Sequence, residues 1–290
     1  MTEKAKILGV TVTHNSSQFV ELMLRTLFAT NDLSGFNFEM NVLDNNSAPT
    51  ELPALREYLT SHGISLTATG GGYYVAAEQH GATLTDFIAR RPDPTYYLFL
   101  DADMWFIEPD TIGTMLTELM SAGSSTFAVQ ARINGYYIGR VYEGVDGRPE
   151  SNYWEGRLAW PIEFEGRHYA NRYASRCSPV CSLVENSALF RSVASTVGLA
   201  QAIRFGVGEV IYYDTFSLMT HVMATHGQGH AISSRTVNHF SQTTYLAVDR
   251  ARREEDCAML LAELRSGRGV QHPRFFTPDP SVLSGESGPG

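Results

Sequence analysis

At 290 residues, 43% of them hydrophobic, the chain is long enough to bury one substantial core or two closely fused subdomains. Its 22 basic against 31 acidic residues give a net charge of −9, which argues against a broad electrostatic hold on nucleic acid. Cys177, Cys181 and Cys257 cannot all pair with one another, and no apolar run approaches the roughly 20 residues that cross a bilayer, so a soluble, cytoplasmic protein is expected.

The first residues lead directly into a strand rather than a signal peptide. Lys4 and Lys6 are the only lysines, a bias that suits bidentate phosphate recognition by arginine and that genome composition explains equally well. Residues 6–13 are a continuous apolar and β-branched run, a strand ending at His14-Asn15-Ser16, after which Phe19, Leu22, Met23 and Leu27 share one helical face. A second strand over 38–43 ends at Asp44-Asn45-Asn46-Ser47 and is followed by a helix over about 51–61 and a short strand near 64–67. Gly70-Gly71-Gly72 breaks the chain before a helix through Val75, Gln79, Leu84, Phe87 and Ile88. The fourth strand is 96–100, followed by a helix with Ile112, Met115, Leu116 and Leu119 on one face. Strands alternating with helices at this spacing predict an α/β fold with a mainly parallel sheet flanked by helices.

From about 126 to 182 the chain becomes rich in glycine, tyrosine, tryptophan and arginine, with hairpins expected around Asn134-Gly135 and Asp146-Gly147. This reads as a fused second subdomain. A helix through Leu183, Leu189 and Val193, another over 215–225, a strand over 230–237 and a charged helix over 246–266 follow, and the tail from Gly267 is rich in Gly, Pro and Ser. The chain therefore divides into an α/β half (1–125), a second half (126–245) and a C-terminal helix with a tail expected to be disordered near its end (246–290).

In an open parallel sheet, ligands bind at the carboxyl ends of the strands. Three polar loops meet that rule: Thr13-His14-Asn15-Ser16, Asp44-Asn45-Asn46-Ser47 and Asp101-Ala102-Asp103. Turn and capping chemistry explains the first two equally well when each is taken alone. The third is distinctive in its context, because an aromatic and aliphatic strand delivers Asp101 and Asp103 with Met104, Trp105 and Phe106 behind them. Carboxylates beside so much apolar surface are costly unless paired, protonated or bound to a cation, and a divalent ion such as Mn2+ or Mg2+ is the economical partner. Solvated carboxylates capping the next helix are the alternative.

VTVTHNSSQFVELMLRTL, then VLDNNS, then YLFLDADMWF, together resemble the inverting family 2 glycosyltransferases of the GT-A fold. CSLVENSALFRSVASTVGL and YYDTFSLMTHVMATHGQGHAISSRTVNHFSQ resemble that family's acceptor-side segment, its catalytic helix and its terminal histidine element. The resemblance covers about residues 6–245, weakly between 126 and 180. It implies a nucleotide-diphosphate sugar as donor and a small-molecule or glycan acceptor. It implies that Thr13, His14, Asn15, Asp44, Gly71, Gly72, Asp101 and Ala102 surround the nucleotide, although a plain loop explains the glycines equally well. Asp103 and Asp101 would hold the metal, and His239 would complete its sphere, a packed or exposed histidine being the alternative.

Asp214 is the implied general base, at the start of a helical segment through Phe216, Leu218 and Val222. The family's usual second acid is absent, since Tyr212 and Tyr213 precede it; helix capping is the alternative role, and Glu209 is the competing carboxylate. Trp154, Arg157, Trp160, Arg167, His168 and Arg172 are expected to face the acceptor, or else to form an ordinary hairpin layer. A retaining transferase of the same fold, a nucleotidyltransferase and a non-catalytic sugar-nucleotide-binding module are the rival readings. The second lacks a glycine-rich, lysine-bearing phosphate loop near the first strand.

Overall fold

The structure, a computed structural model, describes residues 4–70, 76–137, 140–142, 157–158, 162–169, 176–199, 203–207, 210–212, 215–240 and 250–276. The first half alternates β1 (Lys6–Thr13), α1 (Ser17–Thr30), β2 (Asn37–Asp44), α2 (Leu52–Ser61), β3 (Ser65–Ala68), α3 (Ala76–Arg90), β4 (Tyr96–Leu100), β5 (Met104–Phe106) and α4 (Thr111–Ala122). Then come β6 (Thr126–Gly135), β7 (Arg140–Tyr142), β8 (Arg157–Leu158), β9 (Ile162–Phe164), β10 (Arg167–Tyr169), β11 (Cys181–Glu185) and α5 (Ala188–Thr196). The chain continues through β12 (Ile203–Val207), β13 (Val210–Tyr212), α6 (Ser217–Thr225), β14 (Gly229–His239), α7 (Arg250–Arg265) and a 3-10 turn at Pro273–Phe275.

The central sheet runs β3-β2-β1-β4-β11-β6-β14-β5, with β7 paired to β6. Strands β1 to β4 are parallel, β11 is antiparallel to both its neighbours, β6 and β14 are parallel, and β5 closes the edge antiparallel to β14. Alternation of side chains explains why the central strands read as unbroken apolar runs. Ile7, Leu98 and Leu100 pack on one face against α1, α2 and α4, whereas Leu8, Val10, Tyr97 and Phe99 pack on the other against α3, α5 and α6. Both faces are covered, so each residue of β1 and β4 has a core to fill. Leu98→Ala would cost about 2–5 kcal/mol by leaving a cavity there.

The sheet is strongly curled. Leu100 ends β4 and Met104 begins β5, although three strands lie between β4 and β5 in the sheet. A flat sheet would set them about 19 Å apart at ~4.8 Å per strand, while four residues reach at most about 14 Å. The curl brings the edge strand back beneath the end of β4, and the link that spans the gap is residues 101–103.

Residues 126–135 and 181–185, which sequence character assigned to the second half, supply β6 and β11 to this same sheet, while β9-β10 and β8-β12-β13 form two small sheets of their own. In the β6-β7 hairpin Gly135 pairs with Arg140, so Asn134 and Gly135 are ladder residues and the chain reverses after them. The Asp146-Gly147 hairpin lies outside the described residues. Leu183 corrects an expectation: it belongs to β11, not to a helix with Leu189 and Val193. Its strand is buried between β4 and β6, and the helix begins only after Ser187, whose hydroxyl accepts the Phe190 N–H as an N-cap.

After Gly267 the described residues, through 276, pack on the core. Phe275 is fully buried with Trp105, Tyr136 and Phe240, and its carbonyl accepts the Trp105 indole N–H at 3.0 Å. Helix α7 packs on α1 with Cys257, Leu260 and Leu261 inward, fastened by Arg265 on Glu21 and by Arg252 and the Tyr137 hydroxyl on Asp256. No described helix is long and apolar enough to cross a membrane.

Candidate functional site

The loops after β1, β2 and β4 meet at the carboxyl edge of the parallel strands, and the first two are laced together. The Asn15 N–H donates to Ser47 Oγ at 2.9 Å, and the Ala48 N–H donates to Asn15 Oδ1 at 2.7 Å. His14 Nδ1 lies 2.8 Å from the Asn45 carbonyl, and Asp44 Oδ1 accepts the Ser47 N–H at 3.0 Å. Asn15 and Asn46 both have positive φ, 50° and 63°, which asparagine tolerates better than most residues. Thr13 is fully buried behind this lacing; its carbonyl accepts the Asn45 N–H, and its hydroxyl has no hydrogen-bond partner among the described residues. Asp44 is buried too, with one oxygen committed to the turn. Thr69, after β3, joins the same network through Asn45 Oδ1 at 2.9 Å.

The third loop is built differently. The Asp101 N–H is held by the Val180 carbonyl and the Asp103 carbonyl accepts the Phe240 N–H, so the backbone of the link is fixed at both ends. Ala102 lies between them, packed against the core. Strand β14 pairs His239 with Met104, which sets the imidazole beside both carboxylates. His239 Nε2 lies 3.0 Å from Asp103 Oδ1 and 3.6 Å from Asp101 Oδ2. One ligand atom from each of the three residues lies within 4.8 Å of the others, and among the described residues this is the one such group. Behind it stands an aromatic wall in which Phe240 touches Phe19, Trp105 and Tyr136.

Burial works against charge on both partners, but the facing charges outweigh it. Asp103 and Asp101 push the His239 pKa up to about 10, and His239 together with Arg253 of α7 holds the Asp103 carboxyl below its ordinary value. Two carboxylates and a buried imidazole, converging with little else between them, are a donor set that suits a divalent ion of the Mn2+ type. The residues fit that group.

Gly71, Gly72, Glu209 and Asp214 lie outside the described residues, as do Trp154, Trp160 and Arg172. Arg157 is on β8, and Arg167 and His168 are on β10; the Arg167 guanidinium donates to the Thr225 carbonyl at 3.4 Å. Three groups that the sequence did not mark reach the site. His80 on α3 stands 3.8 Å from Asp101, Arg250 Nη2 donates to the Asn15 carbonyl at 2.6 Å, and the Arg253 charge acts on Asp103. No local pattern announces any of them, since each is placed by packing of its helix against the strand ends.

No protein-family model matches the chain, and no curated protein does. Among solved structures it is similar to the mannosyltransferase from Pyrobaculum calidifontis in complex with GDP-Man and Mn2+. That match has 15% identity and a TM-score of 0.54, over 97% of this chain and 69% of that one. It is also similar to S. aureus TarS 1-349 in complex with UDP, at 13% identity and a TM-score of 0.42, over 90% of this chain and 72% of that one. A mycobacterial protein matches at 15% identity and a TM-score of 0.45, over 95% and 76%. The first of these carries the comparison, and at that identity it speaks to architecture. The chain has the GT-A fold of the nucleotide-sugar glycosyltransferases.

Proposed function

We propose that the protein is a glycosyltransferase that moves a sugar from a nucleotide-diphosphate sugar to an acceptor hydroxyl with inversion. The observation that carries this reading is the Asp101, Asp103 and His239 group at the carboxyl edge of a parallel sheet, two strands from Asp44. A divalent ion, Mn2+ or Mg2+, held by those three side chains would offset the negative charge of the departing diphosphate. His14, Asn15, Asp44, Gly72, Asp101 and Ala102 surround the nucleotide in this reading, with Thr13 supporting their loops from behind. Asp44 has one oxygen committed to the Ser47 N–H and offers the other to a base N–H or a ribose hydroxyl.

Asp214 takes the acceptor's proton as the acceptor oxygen bonds to the anomeric carbon. The bond from that carbon to the phosphate oxygen breaks, and its electron pair leaves with the nucleotide diphosphate. Asp214→Asn keeps helix-capping ability but cannot take the proton, so nucleotide binding survives and transfer falls by about 10²–10⁴. If Glu209→Gln alone stops transfer, Glu209 is the base; if neither matters and the product keeps the donor's configuration, transfer is retaining. Three buried cysteines in a chain with no regular cysteine spacing suit a reducing compartment, the cytoplasm.

A thermal-shift panel of nucleotide diphosphates with and without Mn2+ tests the reading. A ligand that binds only the folded state raises the melting temperature by mass action, about 2.7 kcal/mol of added stability at a hundred times its Kd. A metal-dependent rise with UDP or GDP is expected. No rise with any nucleotide in the presence of metal would contradict it.

A further inference from the structure

Helix α3 does more than cover the sheet. His80 faces two ways: Nδ1 is hydrogen-bonded to Thr215 Oγ1 at 3.2 Å, and Nε2 lies 3.8 Å from Asp101 Oδ1. Thr215 directly follows Asp214 in the chain and opens the turn into α6. That turn is held from several sides. Arg176 Nη1 donates to the Thr215 carbonyl at 2.9 Å, and the Phe216 N–H donates to the Leu199 carbonyl at 2.8 Å. The Leu199 N–H in turn donates to Thr85 Oγ1 at 2.9 Å, a second hold from α3. The Phe216 ring, fully buried, meets Phe99 of β4 edge-on at 4.9 Å.

Phe216 itself has φ of 72°, in the left-handed region that a bulky residue rarely enters. Such a conformation persists only where the surroundings over-determine it, and it is characteristic of sites where geometry matters to function. The contacts above are that over-determination, and His80 is the one among them that also reaches the acidic group.

We propose that His80 is a positioning residue for the transfer step, tying Asp101 to the turn at Thr215 and Phe216 so that the donor side and the start of α6 keep a fixed separation. The proposal rests on the transferase reading above. A rigid ring with nitrogens on opposite sides serves both contacts, whereas an amide serves only one. Asparagine sets an amide atom near the place of Nδ1 and keeps Thr215; glutamine extends toward the place of Nε2 and releases it.

Transfer kinetics, Mn2+-dependent nucleotide affinity and amide exchange across residues 215–220 are measured in His80→Gln, His80→Asn, Thr215→Val and the His80→Gln, Thr215→Val double variant. His80→Gln and Thr215→Val are expected to lower kcat by about 10- to 100-fold, the scale of a small misplacement of reacting groups. Donor KM and nucleotide affinity stay within about two-fold in both, because the interaction lost is not a binding one. Exchange at Phe216 and Thr220 quickens in both. His80→Asn, which keeps Thr215 and gives up Asp101, restores slow exchange at the turn but not kcat, and the double variant loses no more than either single, since the two residues act through one tie.

An unchanged kcat in Thr215→Val overturns the proposal. So does a His80→Gln variant that loses Mn2+-dependent affinity while the turn exchanges as in the parent, for His80 would then serve Asp101 alone. If the parent protein transfers no sugar, the transferase reading fails instead. The exchange difference between His80→Gln and His80→Asn would still report whether His80 pins the turn.

Discussion

The loops after β1 and β2 look as polar as the one after β4, yet the structure treats them in opposite ways. In the first pair the polar atoms turn toward one another: Asn15, Ser47 and His14 bond backbone groups of the facing loop, and Asp44 accepts the Ser47 N–H of its own. At the third, two carboxylates converge on one buried imidazole, with Arg253 acting on Asp103 and His80 beside Asp101. Hydrogen-bonded lacing builds a wall, whereas convergent like charge builds a place for a cation. Polar composition at a strand end does not distinguish the two; where the side chains point does.

Substitutions separate wall from site. The largest effect is expected for His239→Ala, which removes one of three donors and should weaken Mn2+ affinity at least ~10-fold, since even groups one step from a metal commonly cost 10- to 100-fold. An unchanged Mn2+ titration would return His239 to a packing role. The same residue gives a pH signature. Its folded pKa of about 10 lies above the ordinary 6.5, so in metal-free protein the charged ring contributes stability that is fully present below about pH 6.5 and lost as pH rises through about 10. Mn2+ binding should tighten across that same window, because a ligating imidazole must shed its proton. A flat pH dependence of Mn2+ affinity from 6.5 to 10 would break the comparison from the site's side.

Asn15→Ala tests the wall. It places alanine at a φ of 50° and removes the acceptor for the Ala48 N–H, which together should cost about 1–2 kcal/mol and lower the melting temperature, with Asn15→Gly costing less. Metal affinity should not change. A loss of metal affinity with no loss of stability would show that Asn15 acts with the metal-holding group rather than in the lacing. Ser47→Ala should be smaller still, about 0.5–1 kcal/mol, because it removes one partly buried hydrogen bond and leaves the backbone undisturbed.

Much of this architecture was legible in the residues. β1 and β4 declared themselves because both faces are buried, so nearly every position after Lys6 carries an apolar or β-branched side chain. The Asp101 and Asp103 pair was legible for the related reason that such a strand must end somewhere polar. β5 escaped notice, since Met104-Trp105-Phe106 is too short to show a period, and the curl that returns it to β14 is a property of the whole sheet. Leu183 was misread because only Asn186 and Ser187 separate its strand from the helix through Leu189 and Val193, and that break carries neither glycine nor proline. Packing of the first tail residues was not apparent beside Gly267, Gly269 and Pro273, although Val270 and Phe275 were there to anchor it, and the disorder expected near the tail's end lies outside the described residues. His80, Arg250 and Arg253 were illegible in principle: a histidine or arginine on a helix acquires its meaning only when that helix docks against a strand end.

The central claim is that the Asp101, Asp103 and His239 group holds a divalent ion through which the nucleotide diphosphate is bound. Calorimetric titration of UDP and GDP into the parent protein and Asp103→Ala, each with and without Mn2+, tests it most directly. The parent should bind one of the two nucleotides only when Mn2+ is present, and Asp103→Ala, folded to the same extent by circular dichroism, should bind neither. Equal nucleotide affinity in the two proteins with Mn2+ present would contradict the account.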